Sequence, residues 1–139
     1  MAGSLVVGYD GSTCGDAAVD AAIGLAADLG DKVIVVFGYE PYRVGGEIQD
    51  HRAALEEMGQ RVGEAAVERI KAKGVEAQLE LVDEGPAQAL IDVADKYDAR
   101  MLVVGSYGDS PLRGAILGST PHKLVHMCKR PVLVVHESN

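Results

Sequence analysis

The chain predicts an α/β fold, a doubly wound, five-stranded parallel sheet with helices on both faces. Three observations carry this. Short apolar runs recur five times, helical spacings of apolar residues lie between them, and Gly or Pro marks most of the junctions. Parallel strands need crossover connections, and right-handed crossovers place helices against both faces of the sheet. At 139 residues the chain is expected to be one domain, residues 1–139, large enough to bury a core without a disulfide or structural metal.

Leu5-Val-Val-Gly-Tyr9 is the first strand, closed by Asp10-Gly11-Ser12. Residues 13–29 carry Ala18, Ala21, Ala22, Leu25 and Leu29 on a narrow helical stripe, and Gly30-Asp31 stops them. Lys32–Phe37 is the second strand, followed by a Gly-, Pro- and Tyr-rich stretch over 38–47. A long helix over about 48–73 aligns Leu55, Met58, Val62, Ala66 and Ile70, and Gly74 sits where helix ends favour a left-handed residue. Glu76–Val82 alternates polar with apolar residues, as a half-exposed third strand does. Gly85-Pro86 opens a shorter helix through Ala87, Leu90, Ile91, Ala94 and Tyr97. Arg100–Val104, apolar after its first residue, reads as a central strand covered on both faces. A fourth helix starts near Thr120-Pro121 and runs through Leu124, Val125 and Cys128 before the fifth strand, Pro131–Val135.

Net charge is −8, which argues against a nucleic-acid or anionic-membrane surface, since both need a basic footprint. Cys14 and Cys128 match no Cys-x-x-Cys pattern and read as buried free thiols in helices. Histidines at 51, 122, 126 and 136 form no zinc-like cluster, so no metal ligand is assigned. No charged leader precedes an apolar stretch at the N-terminus and no apolar run approaches about 18 residues. The expected location is cytoplasmic, with no membrane contact.

Two strand orders fit the alternation, 3-2-1-4-5 and 2-1-3-4-5. Ligands in such sheets lie beyond the carboxyl ends of the strands, where the order reverses. Under 3-2-1-4-5 that crevice brings the loop at Asp10 beside the loop at Gly105, the two most unusual loops in the chain. This order is therefore adopted. The second loop holds Gly105, two residues, Gly108, nine residues, then Gly118-Ser119. A strand, a glycine-punctuated loop and a helix start form an anion cradle. Glycine admits close backbone approach, and the first helical amides lack intrahelical partners. Gly105 is expected to leave room for a ligand, Gly108 to turn the chain, and Gly118 to bring the helix start close to a phosphate. The alternative is plain capping, with Thr120 at N-cap and Pro121 at N1. Asp10 has a similar pair of readings, a ligand contact or an Asx-turn or cap for the first helix.

The Gly-x2-Gly-x9-Gly-Ser spacing resembles the ATP-binding signature of the universal stress protein family. So do Val6-Val-Gly-Tyr-Asp-Gly-Ser12, Gly85-Pro-Ala-Gln-Ala-Leu90, Met101-Leu-Val-Val-Gly-Ser106, Leu117-Gly-Ser119 and Pro131–Val135. The resemblance covers nearly the whole chain and implies a Rossmann-like fold of the adenine nucleotide alpha-hydrolase type, in 3-2-1-4-5 order. It also implies a homodimer and an adenine nucleotide as ligand: ATP first, with AMP or cyclic AMP as the alternative, and Mg²⁺ held through the phosphates. By position, Gly8 and Asp10 lie near the nucleoside, and the backbone at Phe37 and Gly38 meets the adenine edge. Gly105, Gly108, Gly118, Ser119 and Thr120 hold ribose and phosphates.

Departures from the pattern bear on the ligand. Pro121 removes one helix amide. Asp109 would repel a bare triphosphate but suits Mg²⁺. His122 faces either the anion or solvent. Arg113 either closes over phosphates or is a solvated loop cation. Tyr39 and Tyr42 either stack on a base or cover a helix face or a partner subunit. The uncharged fifth strand falls at a sheet edge, and an unprotected apolar edge predicts pairing with a second copy through Pro131–Val135.

The expected function is a nucleotide-dependent regulatory switch in the stress response, with at most weak hydrolysis, because there is no Walker A lysine, no water-activating base and no activated cysteine. An Mg²⁺-dependent ATPase or phosphotransferase built on Asp109 is the second reading. A flavodoxin-like FMN carrier using Ser12-Thr13-x-Gly15 is a third, disfavoured by the absence of Trp and the single Phe. An interaction module with an empty pocket is the fourth, against which the intact glycines count.

Overall fold

The computed structural model describes residues 3–39, 48–106 and 118–137, with side chains from residue 52 in the second helix. In chain order the elements are β1 (Ser4–Gly8), α1 (Thr13–Leu29), β2 (Lys32–Gly38), α2 (Ile48–Lys71) and β3 (Ala77–Val82), then α3 (Pro86–Tyr97), β4 (Met101–Gly105), α4 (Ser119–Met127) and β5 (Val132–Val135). All strand pairs are parallel, in the order β3-β2-β1-β4-β5. The five parallel strands are those the alternation predicts, and their order is the 3-2-1-4-5 adopted from the two loops.

Period-two alternation sorts the strand residues between two cores. Leu5, Val7, Val33, Val35 and Val103 face α1 and α2, meeting Ala18, Val19, Ala22, Ala66 and Ile70. Val6, Ile34, Val36, Leu102 and Val104 face the other way, onto Leu90 and Val93 of α3 and Leu124 of α4. Central strands buried on both faces must be continuously apolar, which explains Leu5–Val7 and Leu102–Val104.

Helix ends follow local chemistry. Ser12 caps α1 by accepting from the Gly15 amide, and Gly30 closes it in a left-handed conformation (φ 72°). Gly74, at φ 82°, lies beyond α2 as expected. Three positions assigned to buried stripes are exposed instead: Leu29, Met58 and Val125. Cys14 is a buried free thiol, whereas Cys128 is the half-buried C-cap residue of α4 rather than part of a helical stripe.

The amino ends of the strands are tied by one charged group. Asp31, between α1 and β2, is buried and accepts from Arg100 Nε (2.7 Å), Arg100 NH2 (3.1 Å) and the Gly3 amide (2.8 Å). The guanidinium, helped by the Gly3 amide and opposed by burial, holds the Asp31 carboxyl below its ordinary range.

Candidate functional site

Strand order reverses between β1 and β4, so the crevice opens beyond Gly8 and Gly105. Its walls are the turn Tyr9–Ser12 and the chain leaving β4. The Tyr9 amide donates to Val36 O (3.1 Å), and the Ser106 amide donates to Val135 O (2.9 Å), which extends both strands by one residue. The Gly118 amide then donates to Ser106 O at 2.7 Å. That bond closes the base of the loop and sets the start of α4 directly at the end of β4. Gly108, Asp109 and Arg113 lie outside the described residues, as does Tyr42.

The N-terminus of α4 differs from the capping arrangement expected. Gly118, not Thr120, is the N-cap, and no side chain caps the helix. Ser119, Thr120 and Pro121 therefore occupy its first turn. A helix leaves its first amides without intrahelical partners. Here the Gly118 amide is used by Ser106 O, Pro121 has none, and the His122 amide already bonds Gly118 O (3.2 Å). The amides of Ser119 and Thr120 remain, with no partner among the described residues. They point out of the helix start, where the dipole favours negative charge.

α1 presents the opposite case. Its Ser12 cap is itself held, because Asp10 Oδ1 accepts from the Ser12 amide (2.9 Å) and from Ser12 Oγ (2.5 Å). Beside its first turn the Glu137 carboxylate accepts from Thr13 Oγ1 (2.6 Å) and from Cys14 Sγ (3.7 Å). The protein fills that helix terminus with its own anion. Asp10 is thus an Asx-turn residue and not the cap. Its side chain is exposed, and Oδ2 accepts nothing among the described residues, so one oxygen serves the turn and the other has no protein partner there.

The strand-end glycines have a different cause from the one expected. A Cβ on Gly105 would lie 2.8 Å from Cys14 Cβ, 2.8 Å from Cys14 O and 2.9 Å from Cys14 C. Its missing side chain makes room for α1. Gly38 likewise faces Ala89 Cβ (2.8 Å), Pro86 Cα (2.9 Å) and Glu84 O (3.1 Å), and Gly8 faces Leu90 Cδ1 (3.0 Å). These glycines let helices approach the sheet at the crevice rim. Phe37 is buried, which leaves its main chain alone to serve as an edge. Tyr39 is buried too, 6.5 Å from the Phe37 ring, and burial raises its phenol. It is a packed side chain rather than an open lid.

Several residues at the rim carry no short motif. Ser106 is buried, with Oγ 3.7 Å from Cys14 Sγ. Tyr9 OH donates to Asp16 Oδ1 (2.6 Å), and Arg69 of α2 reaches both Asp16 and Asp20. Burial, then the Asp16 hydrogen bond and charge, push the Tyr9 phenol up to about 12, so it stays a donor over the physiological range. This chain of contacts fixes the turn bearing Asp10. Only the pairing of Asp10 with Ser12 was visible in sequence, as an Asx-turn pattern. Among the described residues no group of three or more His, Cys, Asp or Glu could hold a metal, and no helix is long and apolar enough to cross a membrane.

Comparison with known proteins agrees with this architecture. The profile of the universal stress protein family matches residues 1–136. A universal stress protein of Mycobacterium tuberculosis is 36% identical over 146 residues, covering 96% of this chain and 95% of the relative. Universal stress protein YxiE of Bacillus subtilis is 29% identical over 150 residues, covering 97% and 99%. Among solved structures, a universal stress protein in complex with cAMP superposes with a TM-score of 0.77 at 32% identity, over 98% of each chain. A family member from Burkholderia pseudomallei gives 0.79 at 27% identity, over 96% and 95%. Sheet order, crevice and sequence together place the chain in the universal stress protein family.

Proposed function

We propose that the chain binds an adenine nucleotide in the β1–β4 crevice and acts as a homodimeric, nucleotide-dependent regulatory protein of the cytoplasm, with no catalytic residue. The observation that carries this reading is the pair of amides at Ser119 and Thr120, without a partner among the described residues and set beside the end of β4 by the Gly118–Ser106 bond. They are phosphate donors by position. Ser119 adds its hydroxyl and Gly118 and Gly105 supply backbone; Gly108 and Arg113, outside the described residues, are assigned to the phosphates by the sequence pattern alone. Asp10 Oδ2 and the backbone of Gly8 meet the nucleoside, and the main chain at Phe37 and Gly38 meets the base. ATP, with Mg²⁺ held through its phosphates, is the leading ligand. Cyclic AMP is the second reading, favoured by the amide lost at Pro121, which suits a smaller phosphate group, and by the cAMP complex of a relative 32% identical.

Gly118→Val tests the site. Gly118 has φ −64° and ψ 169°, an extended conformation open to any residue, so the fold should survive. The expected result is at least about a tenfold loss of ATP or cyclic AMP affinity by calorimetry, given about 1.4 kcal/mol per decade, with an unchanged far-UV circular-dichroism spectrum. Full affinity in a folded variant would remove the phosphate cradle from α4.

The dimer is assigned to β5. Val132, Val134 and Val135 are half-buried, Leu133 is 36% exposed, and no charge blunts the edge. Leu133→Lys should convert a particle of twice the chain mass to one chain mass in sedimentation. A dimer that survives the substitution would move the interface elsewhere.

A further inference from the structure

His122 and His126 sit four residues apart on α4, their rings 4.9 Å apart between centroids and edge-on at 73°. Residues at this spacing share a helix face. Both side chains are exposed, so either ring turns freely about its side-chain torsions. From the geometry we infer a two-imidazole chelate, His122 with His126, for a first-row transition dication such as Zn²⁺, Ni²⁺ or Cu²⁺.

The chemistry follows from the donors. Imidazole nitrogen favours these ions over Mg²⁺ or Ca²⁺, which prefer oxygen. Metal–nitrogen distances of about 2.0–2.1 Å place the two donor atoms roughly 3 Å apart. With ring centroids 4.9 Å apart, that separation is within the range of side-chain rotation on a fixed helix. The helix holds both ligands at one spot, so the second nitrogen binds as an intramolecular step at high effective concentration. Ser119, three residues before His122, lies on the same exposed row. The remaining coordination positions therefore open toward water and toward the start of α4.

The chelate does not rest on the nucleotide reading, although it lies within a turn of Ser119, and its test therefore uses nucleotide-free protein. Calorimetric titration with Zn²⁺ and with Ni²⁺ is expected to show one equivalent per chain. His122→Gln and His126→Gln should each weaken binding about a hundredfold, since each leaves a single monodentate imidazole. His136→Gln should leave it unchanged. Circular dichroism checks that every variant keeps its helix content. Absence of binding to the wild-type chain, or binding that survives both helix substitutions, overturns the site.

Discussion

Asp31→Ala is expected to lower unfolding free energy by about 2–3 kcal/mol, measured by urea titration at neutral pH. The carboxylate side chain has no solvent exposure, while its partner Arg100 is 44% exposed. Breaking a fully buried pair costs about 3–5 kcal/mol, and the exposed guanidinium, which regains water, reduces that figure. The Gly3 amide also loses its acceptor. Because the folded carboxyl titrates below its unfolded value of about 3.9, its contribution is complete above that pH. It is lost as pH falls through the lower, folded value. Wild-type stability should drop steeply in this acid window, and the Asp31→Ala profile should be flatter there. Equal acid limbs in the two proteins would show that the Arg100 pair does not shift the Asp31 carboxyl. Since Asp31 lies at the opposite end of the strands from the crevice, nucleotide affinity of the folded variant should not change.

Gly105→Ala is expected to cost about 2–3 kcal/mol, near the upper end of the usual overpacking penalty. Two of the three atoms a methyl would meet are backbone atoms of Cys14, which cannot rotate aside. Relief requires α1 to move away from β4, and α1 carries the Ser12 cap and the Asp10 turn with it. Melting of the nucleotide-free protein should show the loss. Gly8→Ala is the control. Its nearest obstacle is the tip of a leucine side chain at 3.0 Å, which can shift, so the cost should be clearly smaller. If Gly105→Ala weakened nucleotide affinity while leaving the melting temperature unchanged, the glycine would be clearing space for the ligand after all.

Much of the fold was legible in the chain because its signals are local. Leu5–Val7 and Leu102–Val104 are apolar without a break, which only strands covered on two faces require. Gly30 and Gly74 mark helix ends by their own conformational freedom. The strand order was not local information. It was chosen because it brings Asp10 beside Gly105, and the β1–β4 pairing agrees. The candidate site was legible as a spacing of glycines, but the reasons for those glycines were not. The obstacle facing Gly105 lies 91 residues earlier, on a helix that reaches it only after the sheet is assembled.

By itself, then, the sequence determined the alternation of elements, the places where helices stop and the glycine spacing of the candidate loop, since each is read along the chain. Tertiary structure alone decided the rest. It made Gly118 the cap in place of Thr120, through the acceptor at Ser106, and it filled the start of α1 with Glu137, 124 residues from Thr13. It also joined Arg100 to Asp31 across 69 residues. These partners meet through crossover connections that carry the chain from one face of the sheet to the other. No periodicity along the chain records which side chains such crossings bring within hydrogen-bond distance.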